Sequence, residues 1–136
     1  LNLLLVGGIV AVGWPFIYHV GETAMRVQQV SVACRQYAGG HNDQFPDDLE
    51  TLVREGYVSA EMIQSPASGR PFVYLGKGKT ADNAAEILLY APDDEAHGMV
   101  VSVRRDGMLE VQIRAQVEST LRDQGEKYLQ PESSEN

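Results

Sequence analysis

LLLVGGIVAVGWPFIYHV, Leu3–Val20, runs for eighteen positions without a formal charge at neutral pH. As a helix rising ~1.5 Å per residue it covers roughly 27 Å, close to the ~30 Å hydrocarbon layer of a bilayer. Trp14, Tyr18 and His19 gather at its C-terminal end, where amphipathic rings favour the membrane interface, and the first charge is Glu22. A cleaved signal peptide fits less well, because no basic region precedes the run and no small-residue cleavage site follows it. Gly7, Gly8, Gly13 and Pro15 are poor residues for a buried soluble helix but are tolerated in lipid. Residues 1–20 therefore read as a transmembrane segment.

Downstream, the same helix continues. Ala24, Val27, Val30, Cys34, Tyr37 and Ala38 recur in steps of three and four, one stripe of an amphipathic helix, with Arg26, Gln28, Gln29 and Arg35 opposite. Pro15 is the expected kink and Gly39-Gly40 the expected stop. One helix thus starts in lipid and ends as the packing face of a globular domain.

In HNDQFPDDLETLVREGYV, Asp47 and Glu50 have the spacing of a capping box, so a short second helix is predicted, ended by Gly56. Residues 61–70, rich in Ser, Pro and Gly, read as a loop. Strand-like runs follow at Phe72–Leu75, Ile87–Ala91, Met99–Arg104 and Met108–Ile113. The last two flank Arg105-Asp106-Gly107, and this Asp-Gly pair predicts a type I′ hairpin turn. Ala115–Leu129 returns to helical spacing with Val117, Leu121 and Tyr128 inward, and Gln130–Asn136 has the composition of a disordered tail. The fold expected is α+β, a long N-terminal helix packed on a small antiparallel sheet, with a globular domain over 21–129.

The net charge of −8 and the absence of any Lys/Arg cluster argue against nucleic acid as a partner. Cys34 is the single cysteine, which excludes an internal disulfide and a thiolate metal cluster; on the apolar stripe it reads as core. Gly78-Lys79-Thr80 imitates the end of a phosphate-binding loop, but Val73 stands where that loop needs glycine. Asp93, Asp94 and Glu95 form a loop cluster whose hard oxygens suit Ca²⁺, against the blander reading of a solvated acidic loop. His19, His41 and His97 belong to no HxxxH or ExxH motif, and Ser65 and Ser68 lack a nucleophile motif. No enzyme signature remains.

Three stretches together resemble the pseudopilin-like proteins of bacteria, the type II secretion and type IV pilin superfamily. Gly7 and Pro15 keep the Gly-to-Pro spacing of the pilin membrane helix. Arg35–Val58 resembles the helix end, Phe/Tyr-Pro loop and second helix of that family. His97-Gly98 through Asp106-Gly107 resembles a C-terminal His, spacer, Asp-Gly motif. Where the family carries an acidic residue near its mature N-terminus, Leu1–Leu5 has none, and Ser65-Pro66 stands where a Cys often precedes the loop proline.

The resemblance implies a pilin-like fold and a non-enzymatic subunit of a pilus- or pseudopilus-like assembly. It implies an inner-membrane anchor and a periplasmic or extracellular globular domain. The partners expected are lipid and copies of the chain or other membrane subunits, met through the N-terminal helix. Gly7 and Ala11 share one helix face and, with Gly13, Trp14 and Pro15, mark the expected assembly interface, since small residues let helix backbones approach. A membrane-anchored accessory subunit that docks without polymerising is the second expectation. The chain opens on Leu1; an acidic residue in its precursor would favour the filament, an unprocessed Met start the accessory role.

Overall fold

The computed structural model describes residues 2–82, 84–92 and 98–129, with side chains from Val20 onward. Helix α1 runs over Asn2–Gly39. A short α2, Leu49–Arg54, and a 3₁₀ turn, Ala60–Ile63, follow. Then come strands β1 (Val73–Tyr74), β2 (Ile87–Tyr90), β3 (Met99–Arg104) and β4 (Leu109–Ile113), and helix α3 (Arg114–Asp123). The four strands form one antiparallel meander in sequence order. The architecture is α+β, as expected.

Among the described residues no helix is long and apolar enough to cross a membrane. The run from Leu3 falls outside those residues, apart from its backbone, until Val20. The side chains of Gly7, Ala11, Gly13, Trp14 and Pro15, and the tail 130–136, lie outside the description too.

From Val20 on, α1 buries the predicted stripe. Val27, Val30, Ala33, Cys34 and Ala38 are inside, joined by Thr23 and Ser31. They meet Phe45, Leu49, Leu52, Ile63 and Phe72 from the segments around α2, and Val101 and Val103 from β3. A second cluster, Ile87, Tyr90, Val100, Val117 and Leu121, fills the other face of the sheet under α3. The sheet is therefore covered on both sides, which is why all four residues of β2 are fully buried.

Within β2 the pleat slips once. Ile87 opposes Arg104 and Leu89 opposes Val103, so Leu88 has no residue across from it. This bulge turns Leu88 and Leu89 both towards α1, leaving Ile87 and Tyr90 for α3. The Ile87 backbone is completed by a side chain: its N–H donates to Gln124 Oε1 at 2.8 Å, and Gln124 Nε2 donates to its carbonyl at 3.0 Å.

Three local expectations are corrected. The α2 cap is Asp48, not Asp47: Asp48 Oδ1 accepts from Thr51 N at 2.8 Å and from the Thr51 hydroxyl at 2.7 Å. Helix α3 ends at Asp123, six residues before Leu129, because Gly125 and Glu126 N–H groups close back on the carbonyls of Arg122 and Leu121. Gly56, at φ +83°, ends α2 the same way, with Tyr57 N–H reaching the Leu52 carbonyl at 2.9 Å.

The third correction is the hairpin. Only Gly107 has positive φ, at +92°; Arg105 and Asp106 do not. Gly107 N–H donates to the Arg104 carbonyl at 2.9 Å, and Arg104 N–H to that of Met108 at 2.9 Å. The connection is a three-residue loop with a glycine bulge, not a type I′ turn.

At the α2 cap, the hydrogen bonds from the Thr51 hydroxyl, the larger cause, and the Thr51 N–H lower the Asp48 carboxyl below its ordinary value. A depressed folded pKa contributes stability above the unfolded value of about 3.9, lost as pH falls through the lower folded value. Asp48→Ala is expected to cost about 1 kcal/mol at neutral pH, and less once the wild-type carboxyl is protonated. Thermal melts at neutral and strongly acidic pH check this, with Asp47→Ala as the near-silent control.

Candidate functional site

Helix α1 has two flanks and an outer face beyond the sheet. On one flank Arg26 Nη1 donates to the carbonyls of Glu61 at 2.8 Å and Gln64 at 3.0 Å, and Nη2 lies 3.6 Å from Glu22. On the other, Gln28 Nε2 donates to the Gly107 carbonyl at 3.4 Å and Arg35 Nη1 to that of Asp106 at 3.5 Å. Arg26 and Arg35, on the face opposite the predicted stripe, tie α1 to its own domain, while Gln29 of that face stays exposed.

Between these flanks, Met25, Gln29, Val32 and Gln36 follow one another in helical steps of four, three and four, and all are exposed. Met25 and Val32 expose 52% and 38% of their surface, a large share for apolar side chains on a packed helix. Beside them Tyr57 and Val58, just after α2, close a surface groove of about 310 Å³ with Gln29, Val32, Ala33 and Gln36. A second apolar strip lies on the sheet edge, where Met108, Val111 and Ile113 of the last hairpin are exposed. The groove gathers apolar and amide groups.

At the C-terminal end of α1, His41 stacks on Tyr37 with ring centroids 3.7 Å apart, and Tyr57 meets Tyr37 edge-on at 6.1 Å. His41 Nδ1 lies 2.7 Å from the Tyr37 carbonyl, which only accepts, so this nitrogen carries the proton. Sequence periodicity places Tyr37 on the buried stripe; the Gly56 turn after α2 is what brings the Tyr57 ring to it.

The remaining candidates resolve as follows. Cys34 is fully buried, and burial pushes its thiol up to about 12 despite a hydrogen bond with Tyr74 and the charge of Arg35, so it is not a thiolate at neutral pH. Burial also raises Tyr74, whose hydroxyl donates to the Pro46 carbonyl at 2.6 Å. Lys79 stands in a turn closed by its own N–H on the Gly76 carbonyl, and its carbonyl accepts from Phe45 N–H; it belongs to a loop, as read. Ser65 and Ser68 hydroxyls accept from Ala67 and Arg70 N–H groups, shaping their turn. Asp93, Asp94, Glu95 and His97 lie outside the described residues, and among the described residues no group of three or more His, Cys, Asp or Glu is placed to hold a metal.

One residue the sequence did not single out is Arg105. Its guanidinium is buried, donating to the carbonyls of Asp82 at 2.8 Å and Thr80 at 3.3 Å and pairing with Glu86. Its N–H also reaches the Glu86 carbonyl at 2.9 Å, so the hairpin turn clasps the loop before β2. Comparison of the chain with protein-family models, with curated proteins and with solved structures finds no match.

Proposed function

We propose that this chain is a non-enzymatic, pilin-like subunit, held in the bacterial inner membrane by the first half of α1 and built into an assembly through that helix. The observation that carries the reading is the unequal use of α1. Its described half gives one face to the core and both flanks to its own domain, yet leaves Met25, Gln29, Val32 and Gln36 uncovered. A helix that served only as a strut would be solvated by charge along that face. The uncharged run Leu3–Val20 on the same helix, and the order of long helix, short helix and antiparallel meander, agree with the resemblance to pseudopilins.

In this reading lipid surrounds the apolar half until neighbouring helices replace it. The accessory-subunit alternative uses the same face to dock on a larger membrane complex without polymerising.

Gly7→Leu combined with Ala11→Leu tests the assembly half of the proposal. The double variant stays apolar but makes the shared helix face bulky. It is expected to fractionate with membranes like the wild type and to lose its high-mass species on native electrophoresis. Unchanged assembly would return residues 1–20 to the role of a tether. Recovery of the wild-type chain in the aqueous fraction without detergent would remove the anchor itself.

A further inference from the structure

We infer that the free edge of β4 takes up an extended segment of a partner protein as a fifth, antiparallel strand, uncharged and apolar at alternate positions. This goes beyond the assembly reading and does not rest on it, since a polymerising and a non-polymerising subunit would use such an edge equally.

Backbone groups alternate in direction along a strand, and two bonds fix their phase here. The Ala91 N–H donates to the Val101 carbonyl at 2.9 Å, so the odd-numbered residues of β3 turn towards β2. The Arg104 N–H donates to the Met108 carbonyl at 2.9 Å, so the even-numbered ones turn towards β4. Leu109, Val111 and Ile113 stand opposite the odd residues Val103, Val101 and Met99. Their backbone N–H groups therefore point away from β3, as do the carbonyls of Leu109 and Val111, while the Ile113 carbonyl caps α3. Among the described residues no bond reaches these outward groups. The other edge is treated differently: Phe72 N–H donates to the Ile63 carbonyl at 2.9 Å and Gln64 bridges Pro71, so the chain's own 3₁₀ segment flanks the start of β1.

An open row of main-chain donors and acceptors at strand spacing is matched by another extended backbone. Antiparallel addition continues the three existing pairings and is the more stable sense per residue. The side chains then select the segment. Leu109, Val111 and Ile113 share the α1 face of the sheet; Leu109 packs against the core there, while Val111 and Ile113 expose 37% and 56% of their surface. Partner residues directly opposite them lie on that same face about 5 Å away, so apolar side chains at those alternate positions cover both. The other face of β4 presents Glu110 and Gln112, both half-buried, and Glu110 is already paired with Arg104 at 2.8 Å. From Leu109 to Ile113 no charge is left to attract one on the segment, which would lose hydration without a counter-ion.

The experiment uses the full chain in zwitterionic detergent, with the backbone amides of Leu109, Val111 and Ile113 followed by NMR. The probe is acetyl-Thr-Val-Thr-Val-Thr-amide. It is expected to slow solvent exchange at those amides and to leave Glu110 and Gln112, already bonded to β3, unchanged. N-methylation of a probe valine, whose N–H faces β4, should weaken binding about fivefold or more, whereas N-methylation of the central threonine should change it little. Glutamate in place of the valines should abolish the binding. Val111→Pro removes one outward N–H without touching the β3 ladder, and is expected to weaken the probe likewise. No change at the three amides, equal binding of the two methylated probes, or the reverse order between them would overturn the proposal. So would exchange at the same amides that slows with protein concentration in the absence of probe, which would put a second copy of the chain on the edge.

Discussion

Arg105→Leu is expected to destabilise the globular region by about 2–4 kcal/mol, among the largest losses open to a single surface-loop substitution. The guanidinium is almost fully buried yet reaches three acceptors, two carbonyls in the loop before β2 and the Glu86 carboxylate. Leucine removes all of these donors together, leaving the carbonyls of Thr80 and Asp82 and the half-covered Glu86 without them. It also frees the hairpin from the 80–86 loop, so fraying of β3, β4 and that loop should be coupled. Urea denaturation measures the change in midpoint, and amide exchange at Ile87 and Arg105 reports the coupling. Arg105→Lys should recover only part of the loss, because one ammonium cannot reproduce a fork that spans both loop carbonyls and a carboxylate. A midpoint unchanged in Arg105→Leu would mean the clasp contributes nothing to stability.

Gly107→Val should cost about 2 kcal/mol, from two separable sources. The backbone there has φ +92°, a conformation that strains any β-branched residue. In addition, a Cβ at this position would come within 2.8 Å of the Arg35 guanidinium. The steric share is the smaller, because the end of an arginine side chain moves readily. Combining Arg35→Ala with Gly107→Val removes the contact but keeps the dihedral strain, so the pair should recover only a minority of the loss. Gly107→Asn should be the mildest change, since asparagine tolerates this region. Stability curves for the three variants check the order; valine and asparagine behaving alike would refute the dihedral account.

The long helix, the position of the last hairpin and the stripe that α1 buries were legible because each is written in local periodicity. Met99–Arg104 matches β3 as read, and Val27, Val30, Cys34 and Ala38 are core as read. What local pattern does not carry is the partner across the fold. Nothing around Arg105 in sequence indicates that its charge is buried, because its acceptors are some twenty residues upstream. Gln124 looks like a solvated helix residue, yet its amide completes the backbone of Ile87. The overlong α3 had a different cause: Tyr128 continues the apolar spacing but reaches its stacking partner Tyr90 from irregular chain, and Gly125 was the stop signal. On α1, the residue types that look free, Arg26 and Arg35, are engaged by carbonyls that only the folded loops supply. The uncovered face was left to the less conspicuous Met25, Gln29, Val32 and Gln36.

Among the described residues strand β4 ends the sheet, with no proline in it and its one carboxylate, Glu110, drawn to Arg104 at 2.8 Å. Two such edges have the chemistry to zip together antiparallel, the usual hazard of an unguarded strand. That pairing relates the two chains by a two-fold axis perpendicular to the sheet, which reverses every direction lying in the sheet plane, including that of the α1 helix packed across its face. Two chains whose helices enter one bilayer with the same polarity cannot satisfy it. Under the proposed topology, membrane orientation thus acts as a sentry for the open edge. A chain trimmed of residues 1–20 would tumble freely and lose it, making dimers or fibrils through Val111 and Ile113 the expected hazard of working with the excised domain.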